Sequence, residues 1–142
     1  MKYYEQKTPL FSVVIPAFNS ETSLEACVSS VLQSDGQNHA EIIIGDDCST
    51  DNTAKICNTL SARFEKVHFF RNDTNQGVGL TRNIGISKCK GKYISFLDSD
   101  DYFESFKFDK ASISDLCEND YDLAFLSIRN DSRETSFYEL LI

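Results

Sequence analysis

The sequence predicts an α/β fold in which a mainly parallel β-sheet is covered by helices on both faces. Short β-rich stretches alternate with amphipathic stretches from Leu10 to the end of the 142-residue chain. Two of the β-rich stretches have wholly apolar centres, at Val13-Val14-Ile15 and Ile42-Ile43-Ile44, which is typical of strands buried on both faces. No repeat, linker or low-complexity segment interrupts the pattern, so residues 1–142 are predicted to form one domain.

Five stretches have the length and the apolar, β-branched composition of short buried strands. They cover residues 11–15, 41–45, 67–70, 93–97 and 121–128. Pro16 closes the first stretch, because proline cannot donate a backbone hydrogen bond to a neighbouring strand. Crossovers between parallel strands should be right-handed. Because the strands are parallel, their carboxyl ends would lie at one edge of the sheet, where ligands of such folds bind.

Two helix candidates connect the first three strands. Thr22-x-x-Glu25 has the spacing of a capping box, which predicts the start of a helix. Ser49 and Asp51 offer N-caps for a second helix. Each candidate carries apolar residues at helical spacing on one face, namely Leu24, Val28, Val31 and Leu32 in the first and Cys57, Leu60 and Phe64 in the second.

Turn residues and periodicity predict the remaining connections. Residues 34–40 and 71–77 contain glycine and asparagine and are predicted to be loops. Leu80 and Ile84 stand at i, i+4 and predict the apolar face of a third helix. A fourth helix is expected over residues 108–117.

The balance of charge restricts the possible function. The chain has 14 basic and 22 acidic residues and a net charge of −8, which opposes binding to a phosphate backbone. Nucleic acid is therefore not an expected partner. An anionic ligand at an acidic site would need a divalent cation to neutralise the carboxylates.

Cysteine usage and hydropathy indicate a cytoplasmic protein. The five cysteines are scattered, with no CxxC pair, so neither a disulfide framework nor a zinc site is indicated. No apolar run approaches the length of a membrane span, and residues 1–7 lack the apolar stretch of a signal peptide.

The strongest functional signal is the acidic segment that follows the fourth strand. Asp98 and Asp100 are alternate residues of an extended segment, so both carboxylates could reach one ion. Mg²⁺ and Mn²⁺ commonly bind through one or two carboxylates plus substrate phosphates. The segment could equally be an acidic turn that ends a strand and caps a helix, and Asp-x-Asp alone does not decide between the two.

The other strand ends carry further candidates, and each has a structural alternative. Asp47 could accept a hydrogen bond from a nucleobase N–H or merely cap a helix. Arg82 could contact a phosphate or lie on a helix surface as a solvated cation. Phe18 could pack against a base or belong to the core.

Taken in order, five segments resemble the family 2 glycosyltransferases with the Rossmann-like GT-A fold. The segments are Phe11-Ser-Val-Val-Ile-Pro-Ala-Phe-Asn19, Ile44-Gly-Asp-Asp-Cys-Ser-Thr-Asp-Asn-Thr53, Asn75-Gln-Gly77, Thr81-Arg-Asn-Ile-Gly85 and Gly91-Lys-Tyr-Ile-Ser-Phe-Leu-Asp-Ser-Asp-Asp101. They lie within residues 10–103 at family-like spacing, and their combination is specific whereas each segment alone is not. The resemblance implies a truncated, partial GT-A domain, the donor-binding half, because domains of this family run well beyond 142 residues.

The resemblance implies transfer of a sugar from a nucleoside diphosphate donor, such as a UDP-sugar, to a glycan or other hydroxyl acceptor, with Mn²⁺ or Mg²⁺ and with inversion. The implied nucleotide-sugar-binding residues are Pro16, Ala17, Phe18, Asn19, Asp47, Asn75, Gly77, Arg82, Asp98 and Ser99, and the implied metal ligands are Asp98 and Asp100. The family's catalytic base, which deprotonates the acceptor hydroxyl, is expected beyond residue 142, so this chain would bind the sugar donor without transferring the sugar. Cys48 stands where the family more often has Gly or Asn, and little functional cost is expected.

The resemblance also implies partners and leaves alternatives open. The partners are a nucleotide-sugar donor and a glycan or lipid-linked acceptor, and the full-length protein could associate with the inner face of a membrane. An apolar surface left by a truncated domain would favour homo-oligomers. The alternatives are a non-catalytic nucleotide-binding or assembly module, and a sugar nucleotidyltransferase. Nucleotidyltransferases usually have a Gly-rich basic loop where this chain has Pro16-Ala-Phe-Asn19. A phospho-receiver domain is a weaker alternative, because no lysine follows the late strand in the expected place.

Overall fold

Strands and helices alternate along the chain up to the fourth strand. The computed structural model describes residues 8–34, 39–103, 115–116, 118–119, 123–129 and 135–141, the last two ranges by their backbone. The strands are β1 (Phe11–Ala17), β2 (Ala40–Asp46), β3 (Val67–Arg71), β4 (Tyr93–Phe96), β5 (Leu123–Arg129) and β6 (Thr135–Leu141). The helices are α1 (Leu24–Gln33), α2 (Thr53–Arg63) and α3 (Val78–Ile86).

The strands form one sheet in the order β3-β2-β1-β4-β6-β5. β1 pairs in parallel with β2 and β4, and β2 pairs in parallel with β3, so the predicted mainly parallel sheet is confirmed. β6 is antiparallel to both β4 and β5. The sequence analysis predicted β5 but missed β6, because the segment Thr135–Leu141 mixes polar and apolar residues and lacks the apolar centre of the other strands.

Strand β1 shows how the sheet divides the core. Val13 and Ile15 belong to the main hydrophobic cluster, whereas Val14 meets α3 at Gly85. Because successive side chains of a strand point to opposite faces, α1 and α2 cover one face of the sheet and α3 covers the other. Most of the predicted apolar residues of α1 and α2 belong to the cluster, namely Leu24, Val28 and Val31 from α1 and Cys57 and Leu60 from α2. The predicted Leu32 and Phe64 are partly buried against it, and Cys27 belongs to it without having been predicted.

Helix α3 lies close to the sheet because two glycines remove the side chains between them. A Cβ built on Gly85 would lie 2.5 Å from Cγ1 of Val14, and one built on Gly45 would lie 2.6 Å from Cγ2 of Thr81. The buried residues of α3 are accordingly Thr81 and Gly85. The predicted apolar face was wrong at Leu80, which is 51% exposed, because small residues rather than large ones face the sheet.

Strand β1 continues past its predicted end, through Pro16 to Ala17. The carbonyl of Val14 accepts a hydrogen bond from the N–H of Leu97 at 3.1 Å, so the nitrogen of Pro16, two residues on, points to the same side of β1. The pairing of β1 with β4 ends at Val14. The pairing thus ends where Pro16 has no N–H to donate to the neighbouring strand.

The predicted capping box at the start of α1 was wrong. The helix begins at Leu24 with Ser23 as its N-cap, and no side chain caps it. The carbonyl of Ser20 accepts hydrogen bonds from the N–H groups of Ser23 and Leu24. This backbone turn takes the place of the bond that the hydroxyl of Thr22 was expected to accept.

The start of α2 also differs from its prediction. The helix begins at Thr53 with Asn52 as its N-cap. Of the two predicted caps, Asp51 does accept the N–H of Thr53 at 2.9 Å. Ser49 does not cap the helix, because its hydroxyl accepts the N–H of Asn19 at 2.9 Å.

A buried carboxylate ties together the amino-terminal edge of the sheet. Glu41 on β2 is 4% exposed, and its Oε1 accepts hydrogen bonds at 2.6 Å from the Ser12 hydroxyl and from the N–H of Lys90. The Ser12 hydroxyl in turn accepts the N–H of Gly91 at 2.8 Å. These bonds satisfy the buried group and fix the turn that leads into β4.

Three predictions lie partly outside the described residues. The strand predicted at 121–128 is described from Leu123 onward. The loop predicted at 34–40 is described only at Ser34 and at residues 39–40, and the helix predicted at 108–117 only at residues 115–116, which are helical. Within the described ranges, no helix combines the length and the apolar character that a membrane crossing requires.

We expect Gly85→Ala to lower the free energy of unfolding by about 1–3 kcal/mol, because its methyl group would overlap Val14 and force α3 from the sheet. Urea denaturation checks this. Gly79→Ala is the matched control: Gly79 is also in α3, and a Cβ there meets nothing within 4 Å. That variant should gain about 0.5–1 kcal/mol from helix propensity. Equal effects of the two substitutions would contradict the close packing of α3.

Candidate functional site

The loops after β1 and β2 are joined by reciprocal hydrogen bonds. The N–H of Asn19 donates to the Ser49 hydroxyl, and Oδ1 of Asn19 accepts the N–H of Thr50, both at 2.9 Å. Asn19 has a φ of 49°, a left-handed conformation that asparagine tolerates. The Asn19 side chain thus clamps the two loops together, while the neighbouring Phe18 ring is 49% exposed.

Asp46, at the end of β2, holds the loop that follows this strand. It is fully buried, pairs with Arg71 at 2.7 Å and accepts the N–H of Ser49 at 3.1 Å. Arg71 also donates to the Ser49 carbonyl at 2.8 Å. Sequence reasoning missed this ion pair, because it depends on the register that sets Asp46 beside Arg71 in the pairing of β2 with β3.

Asp47 instead organises the loop before α3. Its Oδ1 accepts hydrogen bonds from the Asn72 amide at 2.8 Å and the N–H of Gln76 at 2.7 Å, and its Oδ2 accepts the N–H of Gly77 at 2.8 Å. Burial alone would raise the pKa of Asp47, but these bonds and one from the Thr81 hydroxyl hold it below its ordinary value. Asp47 is therefore a stable anion at the end of β2.

The acidic turn, residues 98–101, follows β4 at the same edge of the sheet. It is closed by a hydrogen bond of 3.0 Å from the N–H of Asp101 to the carbonyl of Asp98. Arg82 donates to Oδ1 of Asp98 at 2.6 Å, and its guanidinium lies 5.6 Å from the centroid of the Phe96 ring. Nε of Arg82 is buried and has no hydrogen-bond partner among the described residues, so the ion pair leaves this buried donor unsatisfied.

Negative charge accumulates on the acidic turn. Burial and then the carboxylates of Asp100 and Asp98 raise the pKa of Asp101. Beneath the turn, burial and then the carboxylates of Asp101, Asp100 and Asp98 raise the pKa of the Cys27 thiol to about 12. Added positive charge would relieve this repulsion between carboxylates.

The side chains of the turn fit a divalent cation that is shared with a ligand. Asp98 and Asp100 are both exposed, and carboxylate oxygens are ligands that Mg²⁺ and Mn²⁺ prefer. In the part of the chain that the structure describes, no group of three His, Cys, Asp or Glu side chains could hold a metal ion. A cation at two carboxylates would need phosphates and water at its remaining positions, as is common for Mg²⁺.

The remaining predicted site residues differ in their accessibility. Pro16 and Ala17 are buried within β1, so only small parts of them can reach a ligand. Asn75 lies in an exposed loop, and its Oδ1 accepts the N–H of Gly77 at 3.2 Å. The Ser99 hydroxyl is directed into the protein. The structure thus joins Asp47 to Gly77 and Arg82 to Asp98, and the roles of these residues in ligand binding stay predictions.

Two further polar residues of the site escaped the sequence analysis. Ser20 is 7% exposed, and its hydroxyl lies 2.7 Å from that of Ser99. Asn72 is 8% exposed and donates to both Asp47 and Thr81. A single polar residue in a loop gives no indication in the sequence that it is buried. Ser20 and Asn72 are therefore recognised by their contacts in the structure.

The family model described as "Glycosyl transferase family 2" matches residues 12–142. The chain belongs to glycosyl transferase family 2. Its segments 11–19, 44–53, 75–77, 81–85 and 91–101, by which the resemblance was recognised, lie mainly at the carboxyl ends of β1, β2, β3 and β4 and on α3. The family assignment and the arrangement of the candidate site therefore agree.

Relatives of this glycosyltransferase chain are longer proteins. An uncharacterized glycosyltransferase of Haemophilus influenzae is 41% identical over 102 residues, which are 72% of this chain and 40% of that protein. The putative teichuronic acid biosynthesis glycosyltransferase TuaG of Bacillus subtilis is 38% identical over 102 residues, with the same two shares. The chain spans about two fifths of the length of these relatives.

The Rossmann-like GT-A fold is confirmed by a solved structure. The crystal structure of residues 1–349 of TarS from S. aureus, in complex with UDP-GlcNAc, is similar to this family 2 chain with a TM-score of 0.73 and 28% identity. The match covers 87% of this chain and 36% of that one.

We expect Cys48→Asn to raise the free energy of unfolding by about 1 kcal/mol. Cys48 has a φ of 63°, a left-handed conformation that costs most residues roughly 1–2 kcal/mol and that asparagine adopts more readily. Urea denaturation measures the difference. Cys48→Ser is the matched control, because serine keeps the strained conformation and should change stability little. A gain of the same size in the serine variant would show that relief of backbone strain is not the cause.

We expect the stability of the chain to fall as the pH is lowered through the range below about 4, the ordinary pKa of an aspartate. The folded state lowers the pKa of Asp47, so its charged form stabilises the fold above that range and the stabilisation is lost on protonation. Urea denaturation from pH 6 to pH 3 should show a shallower loss in Asp47→Asn. Some dependence of the free energy of unfolding on pH should remain in this variant, because the pKa of Asp51 is lowered too. If the variant lost stability with falling pH as steeply as the wild type, the assigned hydrogen bonds of Asp47 would be contradicted.

Proposed function

We propose that this chain binds the sugar donor of a glycosyltransferase that transfers a sugar from a nucleoside diphosphate, such as UDP, to a hydroxyl acceptor. The observation that carries the proposal is the pairing of Arg82 with Asp98 at 2.6 Å beside Asp100, an exposed acid that forms no ion pair with the other described residues. A cationic side chain and exposed carboxylates side by side suit a diphosphate and a divalent cation together.

The relatives support this choice of ligand. TarS, whose structure resembles the chain, was crystallised in complex with UDP-GlcNAc, and TuaG is described as a putative teichuronic acid biosynthesis glycosyltransferase. A UDP-sugar is accordingly the proposed donor, and a glycan or lipid-linked acceptor in surface polysaccharide synthesis is the proposed partner. Such an acceptor would place the full-length protein in the cytoplasm at the inner face of a membrane, and self-association is a further expectation.

The loops at the ends of β1 and β2 would bind the nucleoside. The Phe18 ring is half exposed and can pack against a base, and the Asn19 clamp fixes its position by holding the next residue. Asp47 is the proposed acceptor for a base N–H. Since it already holds Gln76 and Gly77, it would bind the base together with this loop and bring Asn75 near the nucleotide.

Arg82 and the acidic turn would bind the diphosphate. The Arg82 side chain is 35% exposed and α3 holds it against Asp98, so the exposed part of its guanidinium can contact a phosphate oxygen. Asp98 and Asp100 would hold Mn²⁺ or Mg²⁺, which supplies positive charge that stabilises the departing diphosphate. Inversion of the sugar configuration and a catalytic base beyond residue 142 are expected from the family and complete the proposal.

We expect UDP to bind to the chain in the presence of Mn²⁺ and to bind at least about tenfold more weakly in Asp100→Asn, which keeps the shape of the side chain and removes its charge. Calorimetric titration with UDP, with and without Mn²⁺, measures this. Glu65→Gln is the matched control, because it removes one exposed negative charge between α2 and β3, at the opposite edge of the sheet.

The other outcomes identify the alternatives. UDP binding that is equal with and without Mn²⁺, and unaffected by Asp100→Asn, would indicate a nucleotide-binding module without a metal site. Release of pyrophosphate from a nucleoside triphosphate and a sugar phosphate would indicate a nucleotidyltransferase. Absence of binding under all conditions would overturn the proposal for this chain.

A further inference from the structure

We propose that Ser20 is a positioning residue for the acidic turn: its hydroxyl accepts the hydrogen bond of Ser99 and thereby turns the carboxylates of Asp98 and Asp100 outward to a divalent cation. The inference rests on the proposed function, because it adds a residue that positions the two candidate ligands of the cation site. Ser20 itself is 7% exposed and belongs to the loop between β1 and α1.

The direction of the bond follows from the contacts of the two hydroxyls. Oγ of Ser20 lies 2.7 Å from Oγ of Ser99 and 3.2 Å from the carbonyl of Phe18. A hydroxyl has one hydrogen to donate. Since the Phe18 carbonyl can only accept, Ser20 donates to it, and Ser99 donates to Ser20. The side chain of Ser99, between Asp98 and Asp100, is therefore held against the buried Ser20.

Ser20 can hold the turn because it is itself fixed at its other polar atoms. Its N–H donates to the Thr53 hydroxyl at 2.8 Å, and Thr53 is fully buried at the start of α2. Its carbonyl accepts the N–H groups of Ser23 and Leu24 at the start of α1. Ser20 thus connects the starts of two helices, through its backbone, to the acidic turn, through its hydroxyl.

Two side chains of α1 hold the same segment from beneath. The Cys27 thiol donates to the carbonyl of Asp98 at 3.4 Å, and the Ser30 hydroxyl accepts the N–H of Phe103 at 3.0 Å. Both contacts restrain the backbone at the two ends of the segment. Among the contacts of the described residues, the one with Ser20 restrains the Ser99 side chain between the two candidate ligands, so its loss should affect cation binding more than it affects folding.

The orientation of the carboxylates agrees with this arrangement. Asp98 and Asp100 are exposed, whereas Ser99 between them is partly buried. Residues that hold metal ligands in place through a hydrogen bond in this manner strongly affect metal affinity.

The test is a titration of the chain with Mn²⁺ alone, followed by the paramagnetic resonance signal of free Mn²⁺. We expect Ser20→Ala and Ser99→Ala each to weaken Mn²⁺ binding by about tenfold. The double variant should be no weaker than either single one, because both remove the same hydrogen bond. Ser20→Thr restores the hydroxyl and should restore the affinity, which a role in packing alone would not produce.

Ser87→Ala is the matched control, because the Ser87 hydroxyl donates to a helix carbonyl at 2.7 Å on an exposed surface. Urea denaturation of each variant separates loss of the metal site from unfolding. Wild-type affinity in a folded Ser20→Ala variant would overturn the inference. So would additive losses in the double variant, or a Ser20→Thr variant that folds normally and binds as weakly as Ser20→Ala.

A second measurement tests the role of Ser20 in holding the acidic turn when no metal ion is present. Hydrogen exchange at the N–H of Asp101, which closes the acidic turn, should be about tenfold faster in Ser20→Ala than in the wild type, while exchange in α3 stays unchanged. If the wild type binds no Mn²⁺, the proposed function fails, and this exchange rate still tests the inference. Unchanged exchange at Asp101 would then overturn it.

Discussion

The parallel pairing of β1 with both β2 and β4 is the constraint on which the rest of the structure depends. Each parallel connection must cross a face of the sheet before the next strand begins, so every strand of this part of the sheet ends at the same edge. Phe18, Asp47 and Asp98 follow β1, β2 and β4 and therefore meet at that edge, although they lie far apart in the sequence. At the other edge, the buried carboxylate of Glu41 joins β2 to β1 and to the turn before β4.

The distance between α3 and the sheet depends in turn on small residues. Gly45 and Gly85 leave room for Thr81 and Val14 respectively, and this close packing places the first turns of α3 beside the ends of β2 and β4. Arg82 can then reach Asp98, while the hydrogen bonds of Asp47 fix the loop that begins the helix. The ion pair of Arg82 with Asp98 thus depends on the close packing of α3, because bulkier residues between α3 and the sheet would separate the two charges.

The sequence predicted structure well where a run of residues is typical of one environment, such as the interior of a sheet. Continuous apolar runs predicted the strands, and the order of acidic, glycine and asparagine segments indicated the family and the candidate site. Contacts that depend on register or on a buried loop could not be predicted. Arg71 reaches Asp46 only because β2 and β3 pair in one register, and Ser20 shows no burial signal of its own. Leu80 was assigned to the apolar face of α3 because it is hydrophobic. The helix lies so close to the sheet, however, that small residues face the sheet instead.

The charge of the acidic turn has a chemical consequence for the cysteine beneath it. A thiol reacts with oxidants and alkylating agents mainly as its thiolate, and burial together with the neighbouring carboxylates raises the pKa of Cys27 to about 12. Near neutral pH almost no thiolate forms. Burial, helped by the same negative charge that would attract a cation, thereby keeps Cys27 in its unreactive thiol form, so a sulfur atom can lie directly behind a binding site without becoming a reactive group.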